Sequence, residues 1–410
     1  MVWLLGGYMW LFIHRPFEVW PVLGSMQIER GYMLAMIVYW AIAVDKEWTQ
    51  NRLNLAFLAF GIVMAAAWVF SRHGDLGAPR MEEWLKVAVF YVLVISTVRT
   101  DQDLKRLAVL YLSAVALYMA HSLWEYRNGR FQWTMGTARL LGIDITHGDP
   151  NTFAATLVYS LPLALAVWRH AQQWWQHGLL AGYTALSVGC ILLTSSRSAF
   201  VGLVFLLAVV AMMSKHRWVL MLLLALAAPI TWQVLPKDRQ NRFMTLIDPS
   251  FGPENARESA EGRAKGWRDG LRLWRQNPIW GVGPGAFGTE TGGGYESHHL
   301  YGQVLGELGT LGALAFLGIL AAFAANAFEA QRLCAEQPEL SESASYSMVL
   351  AVSLTIVLML LMGFGGHNLY RYTWLWFGAF EAIALAWLRQ QTEVADEEAS
   401  DCDPMILDYA

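Results

Sequence analysis

The chain predicts an all-α polytopic membrane protein, a bundle of about twelve transmembrane helices, and three observations lead there. Of its 410 residues, 56% are hydrophobic and 15% charged, against roughly half and a quarter in an average soluble protein. Its 20 Trp, 19 Phe and 15 Tyr accompany a mean hydropathy of +0.35, a balance suited to helices in lipid with tryptophan at the interfaces. Finally, apolar runs close to the roughly 20 residues needed to cross a hydrocarbon core recur along the whole chain. Disordered, collagenous and disulfide-scaffold proteins are excluded. A formal charge of −4 is too small to argue for nucleic acid, so the placement of charge matters more than its sum.

Bounded by charge, Gly or Pro, the runs lie near Val2–Ile13, Tyr32–Val44, Leu53–Phe70, Trp84–Val98, Leu107–Trp124 and Phe153–Trp168. The rest lie near Leu179–Leu193, Ala199–Met213, Trp218–Val234, Leu300–Phe328, Met348–Phe364 and Trp374–Leu388. The first lacks a charged leader and a small-residue cleavage site, so it reads as a retained span. Residues 1–234 then hold helices one to nine, and 298–390 hold ten to twelve. Between them, 235–297 is one long polar insertion, in which Gly262–Gln276, rich in Arg, Trp and Leu, suits a helix lying along the interface. Residues 391–410 form an acidic tail, which is placed in cytoplasm together with the N-terminus.

With that count, ten basic residues fall in connections on the cytoplasmic side and eighteen on the other, sixteen of the eighteen being Arg. Nine of the eighteen sit in the long insertion, so short loops alone do not orient the chain. The excess of Arg on one face is the useful signal, because its planar fork grips phosphate oxygens bidentately. Lipid headgroups account for many of these arginines, and those beside spans are the candidates for a diphosphate. Cys190, Cys334 and Cys402 have no metal-ligand or disulfide spacing.

Thr194-Ser195-Ser196-Arg197-Ser198-Ala199 joins two apolar runs with almost no loop. An arginine confined there needs an anionic partner, which marks Arg197 as functional. Ser297-His298-His299-Leu300 opens the longest apolar helix; about 28 residues from Leu300 would extend roughly 42 Å. Gly302, Gly306, Gly309 and Gly312 make a small-residue strip for helix packing, and His298 shares the face of Gly309. Arg197, Arg263 and His298 all fall on the same side. Gly136–Asn151 (GTARLLGIDITHGDPN) offers Arg139 as an anion ligand, with Asp149 and Asn151 as helix caps. His147 and His367 read as ordinary polar residues, and Glu307 and Glu381, inside spans, require partners in the bundle. Gly283-Pro284-Gly285-Ala286-Phe287-Gly288 matches GxGxxG, but no buried strand precedes it, so it reads as an elbow. Asp101-Gln102-Asp103 lies in a loop of the opposite side and reads as solvated charge.

The run Asn277–Phe287 (NPIWGVGPGAF), the His298–Gly309–Gly312 spacing, Ser196–Ala199 and the RLLG…DPN segment together resemble the O-antigen ligase and polymerase superfamily of bacterial envelope enzymes, over about Arg139 to Gly312. His299 stands where that family usually has Asn, Ser or Gln. The resemblance implies a GT-C-type glycosyltransferase bundle in the inner membrane. Its long insertion would be a large periplasmic loop and its active site periplasmic, with no metal or cofactor. It further implies transfer of a glycan from undecaprenyl diphosphate to the lipid A core oligosaccharide. Carried over by motif, Arg197, Arg263 and His298 are catalytic; Arg263 is the loosest match, since Arg257 and Arg268 are neighbours. Arg139, Arg80 and His299 are then the expected diphosphate ligands, with lipid as the surrounding medium. A histidine suits the acceptance of a proton from the acceptor hydroxyl, and positioned arginines suit a departing diphosphate. Direct displacement inverts the anomeric carbon. A polymerase or a protein O-oligosaccharyltransferase of the same superfamily, or a lipid-linked glycan flippase, are the alternatives.

Overall fold

The computed structural model describes residues 1–134, 136–146, 148–248, 254–294 and 296–401, with side chains described outside 254–261 and 396–401. His147, Cys402 and the end of the acidic tail lie outside the described residues, as does the side chain of Arg257. The first helices are α1 (Val2–His14), α2 (Pro16–Val19), α3 (Pro21–Ser25), α4 (Ile28–Ala43), α5 (Arg52–Val69), α6 (Gly74–Ile95) and α7 (Asp101–Arg127). An antiparallel ribbon of β1 (Phe131–Thr134) and β2 (Thr137–Leu140) follows, in register Phe131 to Leu140. Then come α8 (Pro150–Arg169), α9 (Trp174–Thr194), α10 (Arg197–Met213), α11 (Arg217–Val234), α12 (Lys237–Met244) and α13 (Glu254–Gln276). The chain closes with α14 (Phe287–Glu290), α15 (Leu300–Glu336), α16 (Ala344–Gly363) and α17 (Thr373–Asp401).

Each expected apolar run centres on a helix. Among the described residues, seven helices are long and apolar enough to cross a membrane: α5, α7, α8, α9, α11, α15 and α16. With about 77% of the chain helical, this is an all-α, multi-pass membrane protein. The core is aromatic. Trp376 of α17 is fully buried, with ring centroids 4.6 Å from Phe90 of α6 and 5.3 Å from Phe12 of α1. Such offset contacts add about 0.5–1.5 kcal/mol each beyond buried area. Asp149 caps α8, accepting from Asn151 N and Thr152 N at 3.0 and 3.3 Å, with Pro150 at the first helical position. Asp101 ties α7 to α16 by accepting from the Ser345 amide and hydroxyl, both at 2.6 Å.

Two expectations change. The helix that starts at Leu300 is interrupted at Gly309, whose φ of 65° and ψ of −159° are non-helical. That break orphans carbonyls before it and amides after it, and the Asn277–Phe287 elbow satisfies both sets. Val282 N and Gly283 N donate to Gly306 O and Glu307 O at 2.9 Å each, while Thr310 N and Leu311 N donate to Pro278 O and Ile279 O at 2.8 and 3.3 Å. Second, α13 does more than lie along an interface: Gly266 and Gly270 seat it against Gly302 and Gly306 of α15. A Cβ at Gly302 would stand 2.6 Å from Gly266 O. The first half of the glycine strip is therefore a helix crossing and the second half is a break, with Gly312 leaving room for the Leu308 side chain.

Candidate active site

The turn between α9 and α10 organises the site. Ser195 adopts the left-handed conformation, φ 51°, so α9 ends abruptly and its last carbonyls lack helical partners. Three arginines take them. Arg139 of β2 donates through Nε to Thr194 O at 2.8 Å, and through Nη2 to Asn151 Oδ1 at 2.8 Å. Arg239 of α12 reaches Leu193 O at 2.5 Å, Ser195 Oγ at 2.8 Å and Ala138 O at 2.7 Å. Arg242 donates through Nε to Ser195 O at 2.8 Å. Cations at a helix C-terminus also meet the negative end of its macrodipole.

Arg197 begins α10 and donates to Thr245 Oγ1 at 2.9 Å. Arg263 of α13 lies against Gly365, where a Cβ would come 3.2 Å from its Nε; among the described residues it makes no ion pair or side-chain hydrogen bond. The five guanidinium groups repel one another. Burial, then Arg242 with Arg197 and Arg239, pushes Arg139 down to about 9, against the pull of Asp149. Burial and the neighbouring arginines likewise bring Arg242 and Arg263 to about 10. All stay charged at neutral pH. Among the described residues, Arg139, Arg239, Arg242 and Arg263 have no carboxylate within ion-pair distance, so the recess is a cationic surplus that an anion relieves.

His298 lies at the edge of this recess, with its ring centroid 5.5 Å from that of His367. It is exposed by surface area, because it lines an open cavity, yet protein packs closely around the ring. That crowding holds it below the usual histidine range, with Arg263 pushing the same way and Asp149 opposing. His298 is thus a neutral imidazole at pH 7. The loop leading to Asp149 is fastened by Glu18 of α2, which accepts from Ile145 N at 2.7 Å and from Thr146 N and Oγ1 at 3.0 and 2.6 Å.

Arg197, Arg263, Arg139 and His298 are therefore brought together, while two expected diphosphate ligands are not. His299 caps α15, its Nδ1 accepting from Gly302 N at 3.2 Å, and its ring packs 5.3 Å from Trp267 and 5.7 Å from Phe364. The spacing selected His298, and its ring is the one that lines the cavity. Arg80 stands across that cavity, paired with Glu296 and, at 3.7 Å, with Glu83. Gly309 and Gly312 shape the break in α15 instead of a helix-packing seam. Arg239 and Arg242 were not singled out by sequence reasoning, and His367, read there as an ordinary polar residue, stands beside His298. For the two arginines the available signal was their spacing of three residues, which puts both on one face of α12. Among the described residues, no group of His, Cys, Asp and Glu could hold a metal ion.

A neutral imidazole beside clustered guanidinium groups can take a proton from a hydroxyl while an anion forms next to it. Comparison with known families bears on this geometry. Residues 182–317 match the family model described as O-antigen ligase. No curated protein matches the chain. The matched stretch runs from α9 through the arginine-capped turn and α13 to the break in α15; holding Arg197, Arg239, Arg242, Arg263 and His298, it supports an O-antigen ligase-family protein.

Proposed function

We propose that this protein transfers an O-antigen glycan from undecaprenyl diphosphate to a sugar of the lipid A core oligosaccharide. The reaction takes place at the periplasmic face of the inner membrane, within a GT-C-type bundle of about twelve spans. The family match supports activity of the O-antigen ligase and polymerase kind, and the finer assignment rests on the site. One observation carries it: a neutral His298 adjoins a recess where, among the described residues, Arg139, Arg239, Arg242 and Arg263 stand without a carboxylate partner.

The donor is already activated, so two tasks suffice. His298 accepts the proton of the acceptor hydroxyl as its oxygen attacks the anomeric carbon. The bond from that carbon to the diphosphate oxygen breaks, and its electron pair leaves with the diphosphate, so the configuration inverts. Arg263, with Arg197 and Arg242, meets the charge that develops on the leaving group; such donors are worth about 3–4 kcal/mol each where measured. Arg139 and Arg239 are committed to backbone carbonyls and, with Arg242 Nε on Ser195 O, hold the turn that presents Arg197.

The test uses purified protein in detergent with a chelator, undecaprenyl diphosphate-linked O-antigen and rough lipopolysaccharide. A laddered lipopolysaccharide product that disappears in His298→Ala supports the reading. Growth of the lipid-linked glycan alone would replace it with a polymerase, and glycan moving across vesicles without any transfer would replace it with a flippase.

A further inference from the structure

His298 has two sides. The recess of Asn151, Ser198 and Gly365 borders the arginines, since Asn151 accepts from Arg139 and Gly365 lies against Arg263, whereas the other side opens into a second cavity of about 320 Å³ that shares Thr152, His367 and Arg371 with it, near the lower limit of small-molecule sites (~300–1,000 Å³). None of the clustered arginines lines that cavity. Its charged groups are Arg80 and Arg371 against Glu83, Asp149 and Glu296. Arg80 is already engaged by Glu296 and Glu83, and Arg371 donates to Thr156 Oγ1 at 2.6 Å and Thr152 O at 3.3 Å. The electrostatic sign therefore changes across one imidazole, from cationic surplus to a balance tipped toward carboxylate.

Among the described residues, three that line the cavity each hold a polar atom, enclosed within the wall, without a partner: Gln303 Oε1, Arg371 Nε and His367 Nδ1. Buried polar atoms are ordinarily hydrogen-bonded. An orphaned acceptor, an orphaned donor and a ring nitrogen together complement hydroxyl groups, each of which both donates and accepts. The Tyr370 ring, with the Arg80 guanidinium 6.0 Å from its centroid, adds an apolar wall for a sugar face.

We infer that this cavity is the acceptor subsite, that it takes a single sugar ring without anionic substituents, and that Gln303, Arg371 and the Glu83–Glu296 pair select it. The inference rests on the transferase reading and supplies its acceptor class. The anionic donor group and the uncharged acceptor ring then meet at the base, and the displacement inverts when the acceptor oxygen and the diphosphate lie on opposite faces of the anomeric carbon.

The experiment measures acceptor KM and donor KM separately, with an uncharged hexose acceptor and its phosphorylated counterpart, for the wild-type chain, Gln303→Met and Glu296→Gln. Saturation-transfer NMR with the uncharged acceptor gives a binding readout independent of transfer. Loss of one buried hydrogen bond should raise the acceptor KM of Gln303→Met about 10- to 100-fold with donor KM unchanged. Glu296→Gln, a near-isosteric change at the cavity rim that stands in if Gln303→Met does not fold, should narrow the preference for the uncharged acceptor. A change confined to donor KM, or equal use of both acceptors by the wild-type chain, overturns the subsite. If the wild-type chain binds the sugar in a Gln303-dependent way but transfers nothing, the transferase reading fails while the sugar site stands. If binding ignores both substitutions, the sugar site fails.

Discussion

The imidazoles of His298 and His367 meet with ring centroids 5.5 Å apart and planes tilted by 44°, and both titrate below the ordinary histidine range. Burial, reinforced by His298, takes His367 to about 4; burial and Arg263 depress His298. Both are neutral at pH 7. Because the folded pKa lies below the unfolded value near 6.5, the base is available above that folded value and is lost as pH falls through it. A profile of kcat/KM against pH should show an acidic limb below 6.5. Removing a repelling cation in Arg263→Gln should move that limb to higher pH, and removing the opposing anion in Asp149→Asn, which retains the helix cap, should move it lower. The unfolded chain also takes up the proton that the folded site refuses, so His298 makes folding less stable as pH drops below about 6.5. A limb that ignores both substitutions would exclude His298 as the titrating base.

Two arginines of the same cluster should fail in opposite ways. Arg263 has no hydrogen-bond partner among the described residues, so Arg263→Ala should lower kcat about 100- to 1,000-fold while the melting temperature holds or rises. Arg139 fastens Thr194 O and Asn151 Oδ1, and Arg139→Ala should cost about 1–3 kcal/mol of stability because it leaves the Thr194 carbonyl buried and unmade. Thermal unfolding in detergent, measured beside the transfer rate, separates the two. Similar melting temperatures for both variants would contradict the division.

An anion that fills the recess should stabilise the fold. Inorganic pyrophosphate at about 100 times its Kd should add about 2.7 kcal/mol. The stabilisation should shrink as salt is raised and weaken in the Arg242→Ala, Arg263→Ala double variant. Equal stabilisation of the double variant would place the anion elsewhere.

Gly309 should not tolerate a side chain. At φ 65° and ψ −159° the backbone is in a region reserved in practice for glycine, where another residue costs on the order of 1–3 kcal/mol. A Cβ there would also lie 2.6 Å from Gly281 N. Gly309→Ala should lower the melting temperature and reduce transfer through displacement of His298, whereas Gly318→Ala, at an open position of the same helix, should do neither. Normal behaviour of Gly309→Ala would mean that the break in α15 can be straightened without cost.

The sequence carried the helices because membrane spans are written in local chemistry: apolar length bounded by charge needs no knowledge of neighbours. It also carried Arg197 and His298, each marked by a polar group placed where an apolar helix begins. What it could not carry depended on contacts distant in the chain. Asn277–Phe287 reads as an elbow, but only its pairing with Gly306, Glu307, Thr310 and Leu311 shows that it repairs a broken helix. Arg80 and His299 were grouped with the diphosphate ligands because type and sidedness are all a sequence offers. Tertiary structure gave the first to Glu296 and used the second as a cap.

By itself, then, the sequence determined a helical membrane bundle and the kinds of group at its polar end, since burial preference and charge act residue by residue. The division of that end into a cationic recess and a cavity of unpartnered hydrogen-bonding atoms was decided only by the tertiary structure. Which arginine is bound to a carbonyl and which is left for an anion depends on where α9 stops and where α12 and α13 lie against it.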